Sequence, residues 1–305
     1  MEALAPSNAK HGWKGILAFL TVYIVWGSTF LAIRYAVETI PPLFVAATRH
    51  LIAGSILFAW AWWHGERATK QGVKAGLVLG ALFFLISHGT LHWAEQFVAS
   101  GVAALVIATE PVFVALMLPL FRLGAAPTAK TYAGLALGIG SVLVLFRPDV
   151  ATDRLAIIGL IAVLISSIAW SAGIVLSRKV QPKTAGTMNA ALPLVCGSLM
   201  LVAAGVVRGE HQELDVSAVT TESLLGLLFL IFFGSLLAFT AYSWLLKHYP
   251  PTLVATHTYV NPLVAVLLGW LLAGETMSIS VIASAVLAIS AIGLVNSGSE
   301  DESHG

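Results

Sequence analysis

The sequence predicts an all-α membrane protein of ten transmembrane helices arranged as a 5+5 inverted repeat. Three observations carry that prediction: a composition too apolar for a water-soluble core, ten apolar runs, and an echo between the two halves of the chain. Mean hydropathy is +0.90, with 58% apolar and only 10% charged residues over 305 positions, where soluble domains carry about 25% charged. The net charge of +1 leaves no broad basic face for nucleic acid. A single cysteine, Cys196, rules out an intrachain disulfide and a Cys-based metal cage.

A helix needs about 20 apolar residues to cross a bilayer. Between charged or Pro/Gly breaks, the first half offers runs at 15–37, 43–63, 73–91, 97–121 and 131–146. The second offers 155–177, 185–207, 223–246, 252–273 and 278–296. The first run follows a short polar lead and ends without a cleavage pattern, so it reads as a retained helix. Loops are short, so neighbours run antiparallel. Lys10, Lys14, Arg67, Lys70, Lys74, Arg122, Lys130, Arg178, Lys179, Lys183 and Lys247 then fall on one side, against Arg147, Arg154 and Arg208 on the other. The excess of basic residues puts both termini in the cytoplasm.

The echo is ordered. "WGSTFLAIR" from Trp26 aligns with "WSAGIVLSR" from Trp170, and "TEPVFVALM" aligns with "VNPLVAVLL", Pro111 on Pro262. "AGLALGIG" in the fifth run is similar to "ASAVLAIS" in the tenth. An odd number of crossings per copy inverts the second copy, the architecture of transporters that alternate access around a midplane site.

The motifs "RHLIAGSILF", "SGVAALVIATEP" and "YVNPLVAVLLGWLLAGE", with the small residues that follow, make the chain resemble EamA-type proteins of the drug/metabolite transporter superfamily over residues 14–297. The resemblance implies a cytoplasmic lead (1–13), two EamA-like five-helix repeats (14–149 and 152–297) and a disordered cytoplasmic tail (298–305). It also implies a central cavity and export or exchange of a small organic metabolite across a cell membrane of the bacterial inner-membrane kind. The sequence departs from the family pattern once: Gly274-Glu275 in the second half faces Gly124-Ala125 in the first.

Charges inside spans are costly and mark function by default. Glu110 lies about 18 Å and Arg49 about 10 Å below the same membrane surface at 1.5 Å per residue, within pairing reach of each other. Glu110 either carries a proton, meets a cationic substrate group, or is a buried structural acid. Arg49 sits where an Arg recurs in the resembling family, and is equally suited to pinning helices. Pro111 and Pro262 each remove a helical hydrogen bond, those of the Ile107 and Thr258 carbonyls, and read as matched kinks lining the cavity. Near Pro262 stand His257, Tyr259 and Asn261, with Asn261 on the position matching Glu110. Trp26 and Trp170, with Tyr23, are candidate walls for a flat or apolar solute or ordinary packing.

"HGTLHWAEQ" puts His88, His92 and Glu95 at i, i+4 and i+7 on one helical face. That spacing could present metal ligands, but the H-E-x-x-H order is absent, so the trio reads as a polar cavity mouth and no metal is assigned. There is no nucleophile elbow and no phosphate-binding glycine loop, so no cofactor and no enzymatic activity are expected. A passive facilitator and, behind it, a metal-dependent membrane enzyme are the competing readings.

Overall fold

The computed structural model describes residues 12–123, 128–151, 153–180, 186–249, 254 and 256–304, with the backbone alone at 243, 246, 247 and 296–304. Residues 1–11 of the polar lead and the Gly124-Ala125 departure lie outside the described residues. Helix α1 (Gly12–Ala36) leads to α2 (Pro42–Trp63), whose first residue is a proline, preset for the first turn where its missing N–H costs nothing. A third rod is built from α3 (Lys70–Gly80), a π-helical segment (Ala81–His88) and α4 (Gly89–Ala94). Next come α5 (Ser100–Ile107), α6 (Glu110–Leu120) and α7 (Ala129–Leu145). The chain continues with α8 (Arg154–Val180), α9 (Thr187–Arg208) and the short turn α10 (Glu210–Glu213). Helix α11 (Thr221–Phe229), a second π-helical segment (Leu230–Leu237) and α12 (Ala238–His248) form another composite rod. Helices α13 (His257–Ala273) and α14 (Ile279–His304) close the bundle, and α14 carries helical backbone through 298–304, where the sequence reads as a disordered tail.

Among the described residues, seven helical stretches are long and apolar enough to cross a membrane, counting α3–α4, α5–α6 and α11–α12 as one stretch each, and three shorter apolar helices (Ala129–Leu145, His257–Ala273, Ile279–Val295) accompany them. Ile16, Leu17, Leu20, Ile24, Val207, Leu225 and Val286 are exposed on their outer faces, the condition of side chains that meet lipid. Trp13, Trp60, Trp62 and Trp63 are exposed at helix ends, as the aromatic belts of membrane proteins are. Helix starts are written in threonine: the hydroxyls of Thr69, Thr128 and Thr220 accept from the N–H groups of Gly72, Thr131 and Ser223.

One expectation changes. The 97–121 run is not one kinked helix but two. The backbone tightens at Ala108 and Thr109, with Thr109 N–H donating to Val106 O at 3.1 Å and Val112 N–H to Thr109 O at 3.0 Å. Pro111 therefore sits in the first turn of α6, where its missing donor has no helical acceptor in any case. Pro262 instead lies inside α13, so the two prolines are not structural equivalents.

Helix α2 runs along α9, and α7 along α14. Small residues let these backbones approach, as in other membrane bundles; Ser141 in α7 donates to the Ser284 carbonyl of α14 at 3.0 Å. The α2–α9 pair is also fastened at both ends by carboxylates. Glu66, just past α2, accepts from Thr187 N–H (3.1 Å) and Met188 N–H (2.7 Å) at the start of α9. Glu210, just past α9, accepts from Leu43 N–H (3.0 Å) and Phe44 N–H (3.3 Å) at the start of α2. Each satisfies donors that a helix start leaves open and places negative charge at the positive end of a helix dipole. Glu66→Ala and Glu210→Ala are each expected to lower stability by about 1–3 kcal/mol. Thermal unfolding in detergent checks this, and unchanged midpoints for both would show the caps to be incidental.

Candidate functional site

A cavity of about 420 Å³ opens in the middle of the bundle, walled by α1, α2, both π-helical segments, the α5–α6 break, α8, α9 and α13. Its volume suits a small organic molecule. Of the residues singled out from sequence, Glu110, Arg49, Asn261, His257, Trp26, Trp170, Pro111, Pro262 and His88 all line it. Tyr259, His92 and Glu95 do not, and neither does Tyr23, whose hydroxyl pairs with Thr256 at 2.5 Å.

Glu110 owes its place to the break before α6. It opens the new helix, its carbonyl accepts from Ser171 of α8 at 3.1 Å, and its carboxylate faces the cavity without an ion pair among the described residues. A carboxylate in a helix's first turn is favoured by the dipole, which helps hold a charge in an otherwise apolar wall. Arg49 is 6% exposed, and its Nε and Nη1 have no hydrogen-bond partner. The Arg49–Glu110 pairing that the sequence allowed is not made: both face one cavity, from α2 and α6, without closing an ion pair.

The aromatic residues form the rest of the wall. Trp26 donates its indole N–H to the Gly234 carbonyl at 3.1 Å, pinning α1 to the second π-helical segment, and packs edge-on to His257 at 5.2 Å. Trp170 packs on Phe83 at 4.6 Å and His88 at 5.5 Å. Asn261, with its amide oriented so that both atoms are satisfied, donates to the carbonyls of Tyr23 (3.2 Å) and His257 (3.1 Å). It therefore ties α13 to α1 at the edge of the cavity. It is the fifth residue of α13, while Glu110 is the first of α6, so the aligned pair occupies different places in its two helices.

The expected polar mouth is corrected. His92 and Glu95 are 0% exposed, and only His88 reaches the cavity. The fold buries them because α4 is packed between α2 and α8, with Ala94 and Leu91 in the main apolar core. His92 Nδ1 contacts the His88 carbonyl at 2.7 Å, and Arg34 donates to the Glu95 carbonyl at 2.6 Å. Among the described residues no group of three His, Cys, Asp or Glu could hold a metal ion.

Sequence reasoning missed His50, Phe83, Phe84, Ser87 and Phe239, all of which line the cavity. His50, Phe84 and His88 stack into one cluster, with ring centroids of His50 4.7 Å from Phe84 and 4.4 Å from His88. The π-helical segments alter which residues of the third rod and its later counterpart face inward, and an α-helical projection does not anticipate that. His50 carried a usable signal, being a polar residue adjacent to Arg49 in an apolar run.

Three comparisons with known proteins bear on this site. The pattern of the EamA-like transporter family matches residues 13–147 and again 157–297. The chain is 34% identical over 263 residues to the "Uncharacterized inner membrane transporter YedA" of Escherichia coli K12, covering 86% of this chain and 83% of that protein. It is 28% identical to a "Probable amino-acid metabolite efflux pump" of Salmonella typhimurium LT2 (90% and 91% covered) and 29% identical to "Protein PecM" of Dickeya dadantii (89% and 88% covered). A solved crystal structure superposes with a TM-score of 0.62 at 17% identity, covering 92% of this chain and 96% of its own, which speaks to the fold alone.

Proposed function

Because the chain belongs to the EamA-like transporter family, we propose that it is a secondary transporter that exports or exchanges a small amino-acid-like solute with an apolar or aromatic body. The observation that carries this reading is the cavity itself. Arg49 and Glu110, neither of them in an ion pair among the described residues, line one space walled by Trp26, Trp170, Phe83 and Phe84. Arg49 suits a carboxylate, which its planar fork can bind through two hydrogen bonds. Glu110 suits an ammonium group, and the rings suit a flat side chain. The relative named as an amino-acid metabolite efflux pump points the same way.

The mechanism follows from two inverted five-helix halves, with the seven long helices and three short ones making ten crossings of a bacterial inner membrane and both termini in the cytoplasm. Several features support this reading. The family pattern matches twice. The π-helical segments Ala81–His88 and Leu230–Leu237 each interrupt a composite rod. The Glu66 and Glu210 caps are reciprocal. Rocking the halves would open the cavity to one side and then the other, with the α5–α6 break as a hinge.

Counterflow into proteoliposomes tests this, using labelled amino acids, nucleosides and hydrophobic drugs. Amino acids trapped inside are expected to drive transient accumulation of the outside label; a passive facilitator would equilibrate without overshoot. Glu110→Gln is expected to lower transport of phenylalanine at least tenfold, in line with about 1.5–3 kcal/mol for a charged hydrogen bond, while 3-phenylpropionate, which has no amine, is unaffected. Equal losses for both compounds would move Glu110 from substrate contact to structure.

A further inference from the structure

Behind the cavity wall, between α2 and the α3–α4 rod, buried polar atoms gather without partners. Both carboxylate oxygens of Glu95, His92 Nε2, His88 Nδ1, and Arg49 Nε and Nη1 are enclosed and make no hydrogen bond. The great majority of buried polar atoms are bonded, and the other such atoms here are single ones on Ser100 and Glu210. Six in one cluster therefore require a role. An ionised carboxylate enclosed in this way is costly, and taking up a proton relieves it.

The cluster also touches the cavity. His88 and His50 are in its wall, with ring centroids 4.4 Å apart, and His92 lies 5.6 Å from His88 and 6.5 Å from His50. Glu95 stands one turn beyond His92 on the same face. The charged groups acting on Glu95 are Arg34 from α1, Arg49 from α2 and Glu275 from the turn after α13; those acting on His88 are Arg49 and His92, with His50 against its ring. Arg34 already donates to the Glu95 carbonyl, and Glu275 already accepts from Ser100 N–H (2.7 Å) and Gly101 N–H (3.1 Å) at the start of α5. Of Arg34, Arg49 and Glu275, only Arg49 lines the cavity.

We propose that Glu95 is a proton site, reached from the cavity through His50, His88 and His92, and that its protonation removes the negative charge that offsets Arg49, so that Arg49 attracts the carboxylate of the cargo more strongly. This rests on the carboxylate-bearing cargo proposed above. A proton from cavity water adds to an imidazole nitrogen of His88 or His50, passes through intervening water to His92 Nε2, and by water again to a carboxylate oxygen of Glu95, leaving a neutral acid and neutral imidazoles; water is needed because none of these atoms is hydrogen-bonded to the next. His92 receives and gives the proton at Nε2, because Nδ1 is held on the His88 carbonyl. The return path reverses these steps, and no heavy-atom bond is made or broken. While Glu95 is ionised its charge offsets that of Arg49; once neutral it does not. Proton and cargo carboxylate thus bind with positive linkage, each favouring the other.

Infrared titration of the wild-type protein in lipid vesicles reads the proton directly. A protonated-carboxyl band is expected at neutral pH, lost in Glu95→Gln and retained in Glu110→Gln; a band that Glu95→Gln leaves unchanged overturns the proposal. Phenylalanine counterflow reads the linkage. Wild-type half-saturation is expected to fall up to about tenfold per pH unit lowered through the titration of Glu95, and phenylalaninamide, which lacks the carboxylate, to show no such dependence. Glu95→Gln, a mimic of the neutral acid, is expected to bind phenylalanine tightly and independently of pH. A flat wild-type profile overturns the linkage even if the variants fail to fold. Absence of counterflow with every carboxylate would remove the cargo reading, while the infrared band would still decide whether Glu95 holds the proton.

Discussion

Arg49→Ala is expected to abolish transport of carboxylate-bearing solutes without lowering the stability of the protein. The two halves of that expectation come from the same geometry. With Nε and Nη1 enclosed and unbonded, the empty protein holds a desolvated cation that gains little from its surroundings. Replacing buried charges by apolar groups is often neutral or stabilising. The cargo loses its charged partner, at about 2–5 kcal/mol, roughly 30-fold or more in affinity. Arg49→Lys keeps the charge but loses the planar fork, and is expected to fall between. Counterflow and thermal unfolding on the same preparations separate the roles. An arginine that pins helices would show a lowered midpoint with residual transport, and that outcome would sink the substrate assignment.

The second large effect is steric. Gly197→Ala is expected to destabilise the bundle by about 1–3 kcal/mol or more. A Cβ at Gly197 would stand 2.6 Å from the Gly80 carbonyl oxygen and 2.6 Å from Phe84 Cβ. One added at Gly80 would stand 2.7 Å from Gly197 N and 2.8 Å from the Pro193 carbonyl oxygen. Backbone atoms on both sides cannot turn away as a flexible side chain would. The contact lies where α9 meets the start of the first π-helical segment, so separating the helices would also displace Phe84 from the cavity wall. Gly293→Ala is the control: it has nothing within 4 Å of an added Cβ, and in a helix it is expected to be neutral or slightly stabilising. Similar unfolding midpoints for the two variants would disprove the tight crossing.

The residues made the helices legible and left their interruptions obscure. Apolar runs set by the cost of burying backbone in lipid located α1, α2, α8 and α9 to within a few residues. Glu110, Arg49 and the two prolines were conspicuous as polar or donor-less residues in apolar surroundings, and all four line the cavity. The hidden features depend on how the backbone packs. The π-helical segments "ALFFLISH" and "LIFFGSLL" contain no residue that forbids an ordinary α-helix, so nothing local announces them. The His88–His92–Glu95 face was read with the right periodicity and the wrong side, because periodicity finds a face without saying what covers it. The caps made by Glu66, Glu210 and Glu275 on distant helices have no sequence-local signature.

The two carboxylate caps on α2 and α9 restrict how the molecule can change shape. Sliding one helix along the other by a turn, about 5.4 Å, would strip Glu66 from the start of α9 and Glu210 from the start of α2 at once, exposing four backbone donors. Shear between these two helices is therefore opposed from both ends, while rotation of the pair as one beam leaves every cap intact. Arg49 rides on that beam and Glu110 on α6 outside it, so any tilt of the beam changes the span between the two charges, and a solute held by both would feel the motion as a pull along its own length.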